Sequence, residues 1–436
     1  GKTEEVDKIT NQRSIVEWGE NRQLKSTDYI IYFKDEFNEI AEELIKASNV
    51  STNADFNEYL KLQAAALKTA DPTLDAKADK KWATLQNTPL EFTITRENYD
   101  EIMTISTQYN GTLEKLLNEK GIYPIGKDSL GIRVGIVNQE GTNFILKIVQ
   151  DVPKLADKIP YTPQTQDETD KILSRVDVDL VILAGDIGAY RGQIYKEQTL
   201  PNDDKLSIKE GGGKRTIYQR QLRKFNVGSE KLNNKLGDIL YSEHIQYYDP
   251  EAIHWFTVCR DSAGNLGPNT TNSTLGRYKD LIEYCKRDLI SYAYVDDLRK
   301  EHNTFDELQT KKIKVSNIVD SFLKELPDFR EETMNLDIIK IIENNLFLEH
   351  DIYNLTDNKI RINIDKVSEV AKNILNKVIQ IQINNNYTEA KEFCQTNFNW
   401  TNEMQAIADK LNKYDNELHF VTHNELADFL LSDTNE

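Results

Sequence analysis

The chain has 436 residues, with 54 Lys and Arg against 72 Asp and Glu, a formal net charge of −18 and a pI near 5.0. At roughly 150 residues per domain that length predicts two or three domains or lobes, with a core large enough to need no staples. So acidic a field repels nucleic acid and anionic membranes, and no apolar run approaches the ~20 residues of a membrane-spanning helix.

Residues 1–28 read as a polar lead-in with no core face, opening on Gly1-Lys2-Thr3-Glu4 with no targeting signal and no clue to the compartment. From Tyr29 the pattern turns helical, with Phe37, Ile40, Leu44 and Ile45 at helix spacing. Ser51 to Asp55 starts a second helix carrying Phe56, Tyr59, Leu60 and Leu67. A helix around Trp82 leads through Pro89 to a strand at Leu90–Ile94. Gly131–Val137 and Asn143–Val149 alternate enough to suggest two strands joined by a turn. Pro153 and Pro160 mark a loop that closes a helical and strand-containing part, 29–165.

A core part, 166–330, follows. Asp179 to Ala184 reads as a buried strand, and a helix is expected through Gln219, Lys224 and Phe225. Helical stretches surround Ala252–Gly264 and Leu281–Asp288, and another spans Ile313–Leu326. A helical C-terminal part, 331–436, opens with Asn345-Leu346-Phe347 and a short strand at Lys359–Ile364. Asp365 is the expected cap of an amphipathic helix with Val367, Ala371, Ile374, Leu375 and Val378 on one face. Helices near 388–396 and 402–411 close the chain.

Two motifs are weighed and set aside. Gly211-Gly212-Gly213-Lys214 lacks the spacing of a phosphate loop, because Arg215 precedes Thr216 and Ile208 stands where the earlier Gly is needed. His419 and His423 have the spacing of a metal-binding pair with Glu425 close by, but no third ligand is evident and surface histidines are the commoner case. Cys259, Cys285 and Cys394 are an odd count. A Cys259–Cys285 bridge and buried free thiols both remain open.

The most informative residues are Arg260-Asp261-Ser262-Ala263-Gly264, then Asn265-Leu266-Gly267-Pro268, then Glu283-Tyr284-Cys285-Lys286-Arg287-Asp288. In this order they resemble the zinc hydrolases related to dipeptidyl peptidase III, an M49-like family. Such sites use His-Glu-x-x-His on one helix and a later Glu-Glu-Ala-Lys-Ala-Asp, whose second Glu is the third ligand. Leu200-Pro201-Asn202-Asp203 and Asn345-Leu346-Phe347 carry the likeness further, over about residues 29–412. The resemblance implies an α+β, predominantly helical, two-lobed scaffold, with a smaller mixed β region and a helical lobe holding the remnant metal site. It puts Arg260, Gly264 and Tyr284 at the three ligand positions, where neither guanidinium nor glycine can ligate zinc. Asp261 stands at the general-base position and Asp288 at an outer carboxylate.

The expected function is therefore a catalytically inactive, peptidase-like protein that binds a peptide or protein partner, with no cofactor and no metal. Asp186, Arg191, Asn202, Asp203 and Arg215 are candidates for a binding cleft, with solvated surface as the alternative. A hydrolase with a relocated site or an Asp261/Asp288 acid–base pair, and a structural subunit of a larger assembly, remain as other readings. Arg260 is the expected replacement for the metal charge, paired with Asp288.

Overall fold

The computed structural model describes residues 2–97, 129–163, 173–184, 196–201, 212–224, 227–268, 273–323, 337–411 and 413–414. The chain divides into two compact units, residues 1–142, 168–222 and 418–436 forming one, and 143–167 with 223–417 the other.

Among the described residues the first unit packs helices against a sheet. Its N-terminal stretch, expected to be a polar lead-in, holds a helix α1 (Lys2–Thr10) and a hairpin of β1 (Ser14–Trp18) and β2 (Leu24–Asp28). Ser14 pairs with Asp28 and Trp18 with Leu24, and Ile15 packs on the core. One apolar residue facing inward was too little pattern to read. Asp28 caps the short helix α2 (Tyr29–Tyr32) by accepting from the Ile30 amide. Then come α3 (Lys34–Val50), α4 (Ala54–Leu67), capped by Asn53, and α5 (Pro72–Ala83), capped by Asp71 with Pro72 in its first turn.

The sheet has five strands in the order β3-β4-β5-β7-β6. They are β3 (Leu90–Glu97), β4 (Ser129–Val137), β5 (Leu173–Ala184), β6 (Glu197–Leu200) and β7 (Lys214–Gln219). Only β5 and β7 run parallel. Phe37, Leu44, Tyr59, Leu60 and Trp82 from the helices meet Ile94, Val176, Val178, Leu200 and Ile217 from the strands in one core. The segment through Gln219 is thus strand, and the helix expected there is only a short α7, Arg220–Lys224.

After β4 the chain enters α6, Gln139–Asp151, where a second strand was expected. Ile145 and Ile148 within it and Val152 just beyond its end are buried, a spacing of three and four that is a helical stripe and not a strand alternation. Phe144 packs edge-on against Trp255 at 5.3 Å and Phe305 at 5.9 Å.

The second unit is helical. It contains α8 (Glu230–Ile239), α9 (Ser242–Ile245), α10 (Pro250–Ser262), α11 (Lys279–His302), α12 (Glu307–Leu323) and α13 (Asp337–Glu349). A two-residue ladder of β8 (Tyr353–Asn354) and β9 (Arg361–Ile362) precedes α14 (Val367–Asn384), α15 (Tyr387–Thr396) and α16 (Asn402–Leu411). The centre is α11, packed by α10, α12, α13 and α14. It is buried on several faces, through Leu281, Cys285, Leu289, Tyr292 and Val295, so it shows no clean polar side. Asp365 does not cap α14. Lys366 holds that position without a side-chain bond, and Asp365 lies in the preceding 3-10 turn.

Candidate functional site

Helix α10 is started by Asp249, whose carboxylate accepts from the Glu251 amide, with Pro250 in the first turn. It buries Ala252, His254, Phe256, Val258 and Cys259, which fixes the face on which Arg260 stands. The helix ends at Ser262 with Ala263 as its cap, so Gly264 sits in the following turn and not on the helix. An i, i+4 pair of ligands on one helical face is therefore not what positions 260 and 264 offer. The loop beyond is drawn in tightly. Gly267 has φ +74°, and a Cβ there would lie 3.3 Å from the Lys286 Cδ, so a left-handed turn and close approach both call for glycine.

On α11, Lys286 is fully buried and donates to the Pro268 carbonyl at 3.1 Å, with the Glu283 carboxylate 3.0 Å away. Burial lowers its pKa against the opposing pull of Glu283. Glu283 is a hub, accepting also from Arg287 Nε at 2.9 Å and Gln382 Nε2 at 2.9 Å. The Arg287 guanidinium lies over Gly264. A Cβ built on Gly264 would stand 3.4 Å from its Cζ, 3.5 Å from Nη2 and 3.6 Å from Nη1. Those nearly equal distances mean the guanidinium presents its flat face. The same Cζ is 5.5 Å from the ring centre of half-buried Tyr284.

Arg260 does not make the expected hydrogen bond to Asp288. It forks onto its neighbour Asp261 through Nε at 3.2 Å and Nη2 at 3.1 Å. The cation that reaches Asp288 is Lys340 of α13, at 2.8 Å, which also donates to Glu343 at 2.9 Å. Asp288 and Glu343 are each 2% exposed. Their Oδ1 and Oε1 atoms are buried without another donor, and the two carboxyls are hydrogen-bonded to each other. A single proton between them satisfies both. Burial and the adjacent Asp288 push Glu343 up to about 8. Burial also opposes ionisation of Asp288, but Lys340 and Arg260 outweigh it and hold that carboxyl below the usual range. Asp261 and Asp288 are thus engaged by different cations, and the carboxyl that faces Asp288 is Glu343.

Arg215 is 2% exposed on β7. Its Nε is 3.0 Å from Glu91, and its Nη1 donates to the Leu85 carbonyl at 2.9 Å. Glu91 also accepts from Trp82 Nε1 at 2.6 Å and Thr93 at 2.9 Å. This is an interior ion pair of the first unit, not a solvent-facing cleft residue. Asp186, Arg191, Asn202 and Asp203, like His419, His423 and Glu425, lie outside the described residues. The three cysteines are free and buried, so Cys259 and Cys285 are not bridged. Among the described residues no three His, Cys, Asp or Glu side chains group as a metal site. An open cleft of about 760 Å³, lined by Glu243, His244, Lys311, Arg361 and Asp365, lies elsewhere in the second unit and includes none of the candidate site residues.

Sequence reasoning missed Arg287, Lys340 and Glu343. Arg287 carried a signal, since it stands where the resembling motif has Ala. Lys340 and Glu343 carried none, since only folding brings α13 to α11.

No protein-family model matches the sequence. No curated protein matches it either. Among solved structures, dipeptidyl peptidase III from Caldithrix abyssi superposes with a TM-score of 0.74 and 19% identity, over 94% of this chain and 75% of that one. Dipeptidyl-peptidase III from Corallococcus sp. strain EGB does so with a TM-score of 0.64 and 15% identity, over 94% of this chain and 73% of that one. The chain therefore has a dipeptidyl peptidase III-like fold, α+β and predominantly helical.

Proposed function

We propose that this chain is a dipeptidyl peptidase III-like protein without the zinc centre, which binds a peptide or protein segment and does not hydrolyse it. At the positions that the resemblance assigns to the ligands it has a guanidinium, no side chain and a phenol, at Arg260, Gly264 and Tyr284. That donor set does not fit zinc, which takes imidazole, thiolate or carboxylate. The observation that carries the reading is the Arg287 guanidinium lying face-on over Gly264. A positive charge lying against this position repels a divalent ion. Metal-assisted hydrolysis needs an ion to bring bound water to a pKa near 7, and these residues hold none in place. Asp261 and Asp288, engaged by Arg260 and Lys340, are not left as a free acid–base pair.

Two assays on the full chain test this. Dipeptide release from peptides with free N-termini should stay at background, with or without added Zn²⁺ or Co²⁺. Native mass spectrometry with octapeptides capped at both ends should give one peptide per chain. Chelator-sensitive turnover lost in Asp261→Ala would establish the hydrolase reading instead, and a chain that holds no peptide would contradict the binding role.

A further inference from the structure

Resting on the peptide-binding reading above, we propose that the Nη1/Nη2 edge of Arg287 is an oxyanion site that receives the terminal carboxylate of a bound peptide. The exchange at this seam is reciprocal. The resembling motifs have His at position 264 and Ala at 287, and this chain has Gly264 and Arg287. A Cβ at 264 would stand in van der Waals contact with the guanidinium, 3.4 Å from the Arg287 Cζ, so the two positions face each other across the seam.

The guanidinium is held before any ligand arrives. Its face rests on Gly264, its Nε donates to Glu283 at 2.9 Å, and Tyr284 lies beside it. Glu283 is itself fixed by Lys286 and Gln382. These contacts occupy the face and the Nε–H. Among the described residues neither Nη1 nor Nη2 of Arg287 donates to a protein acceptor, and the side chain is 28% exposed. A planar fork with an open edge and a fixed orientation matches the two oxygens of a carboxylate.

The charge around it has the right sign. Arg260 is met by Asp261, while Lys286 and Arg287 share the single carboxylate of Glu283. Two cations on one carboxylate stand here, on a chain whose net charge is −18. That contrast focuses an anion here and discourages it over much of the rest of the surface.

Isothermal titration of the full chain with N-acetyl-tetraalanine, with its C-terminal amide and with acetate alone tests the assignment. Wild type should bind the carboxylate form at least about tenfold more tightly than the amide, and acetate far more weakly than either peptide. Arg287→Gln and Arg287→Lys, with unchanged circular dichroism, should each bring the two peptides close to equal affinity, since one loses the charge and the other the fork. Equal affinities in wild type, or a carboxylate preference that survives Arg287→Gln, would overturn the site. Acetate binding as tightly as the peptide would reduce it to a small-anion site and overturn the peptide assignment. An octapeptide capped at both ends separates the two failures. If it binds while the carboxylate brings no gain, only the Arg287 site fails, and if no peptide binds, the binding reading fails with it.

Discussion

Asp288 and Glu343 share one proton under the ammonium of Lys340, and that gives the fold a pH dependence with a defined sign. Glu343 has a folded pKa of about 8, above its ordinary value of 4.5, so between these the folded state binds more protons than the unfolded one. Its stabilising effect is fully present below about pH 4.5 and is lost as the pH rises toward 8, at up to about 1.4 kcal/mol per pH unit. Asp288 is shifted the other way, so its contribution is present above its ordinary value and lost only in acid. Denaturant melts should therefore show falling stability from about pH 5 to pH 8, and Glu343→Gln, which keeps the donor and the shape, should flatten that decline. A slope unchanged in Glu343→Gln would place the proton elsewhere. Lys340→Met should cost about 3–5 kcal/mol, because it strands the buried Asp288 carboxylate. Arg260→Ala should cost less than about 1 kcal/mol for its pair with Asp261, since both are partly exposed. Equal costs for the two would mean that Arg260 supports Asp288 as much as Lys340 does. The sequence pointed to Arg260 because it shares a motif with Asp288. The true partner lies on another helix, 52 residues along the chain from Asp288, and helix periodicity says nothing about such a contact.

At the scale of elements, helices with one buried stripe were legible and mixed signals were not. The α14 stripe of Ala371, Ile374, Leu375 and Val378 was read directly, and all four are buried. In α6 the run Phe144-Ile145-Leu146 and Ile148-Val149 satisfies a strand and a helix alike over so short a window. Only the burial of Ile145, Ile148 and Val152 together decides it. The α10–α11 seam makes its own prediction. Restoring the resembling ligands by Arg260→His, Gly264→His and Tyr284→Glu should not create a zinc site while Arg287 stays, because an imidazole at 264 meets the guanidinium. Adding Arg287→Ala should raise bound zinc, measured by elemental analysis, clearly above the triple variant. Equal zinc in the two would show that Arg287 does not block the position. In the first unit, Arg215→Met should cost about 3–5 kcal/mol by stranding Glu91, and far less in a Glu91→Gln background.

For the whole molecule, fold class was readable because it rests on patterns repeated along the chain, and the likeness to the two solved dipeptidyl peptidase III structures, at 15–19% identity, is one of fold. Neither compact unit is a single stretch of sequence. Arg260, Gly264 and Tyr284, the positions that the resemblance assigns to ligands, are brought to the α10–α11 seam, with Gly264 in the turn after α10. That the Arg287 guanidinium lies over Gly264 was not legible, because it depends on where one long side chain comes to rest. No helix among the described residues is long and apolar enough to cross a membrane, as the composition implied. The central claim is that this scaffold holds no zinc at the α10–α11 seam. Its most direct test is zinc content by elemental analysis after the full chain is equilibrated with Zn²⁺ and freed of unbound metal. The account predicts far less than one ion per chain, unchanged in Tyr284→Phe and Glu283→Gln. One tightly held zinc per chain, lost on either substitution, would contradict it.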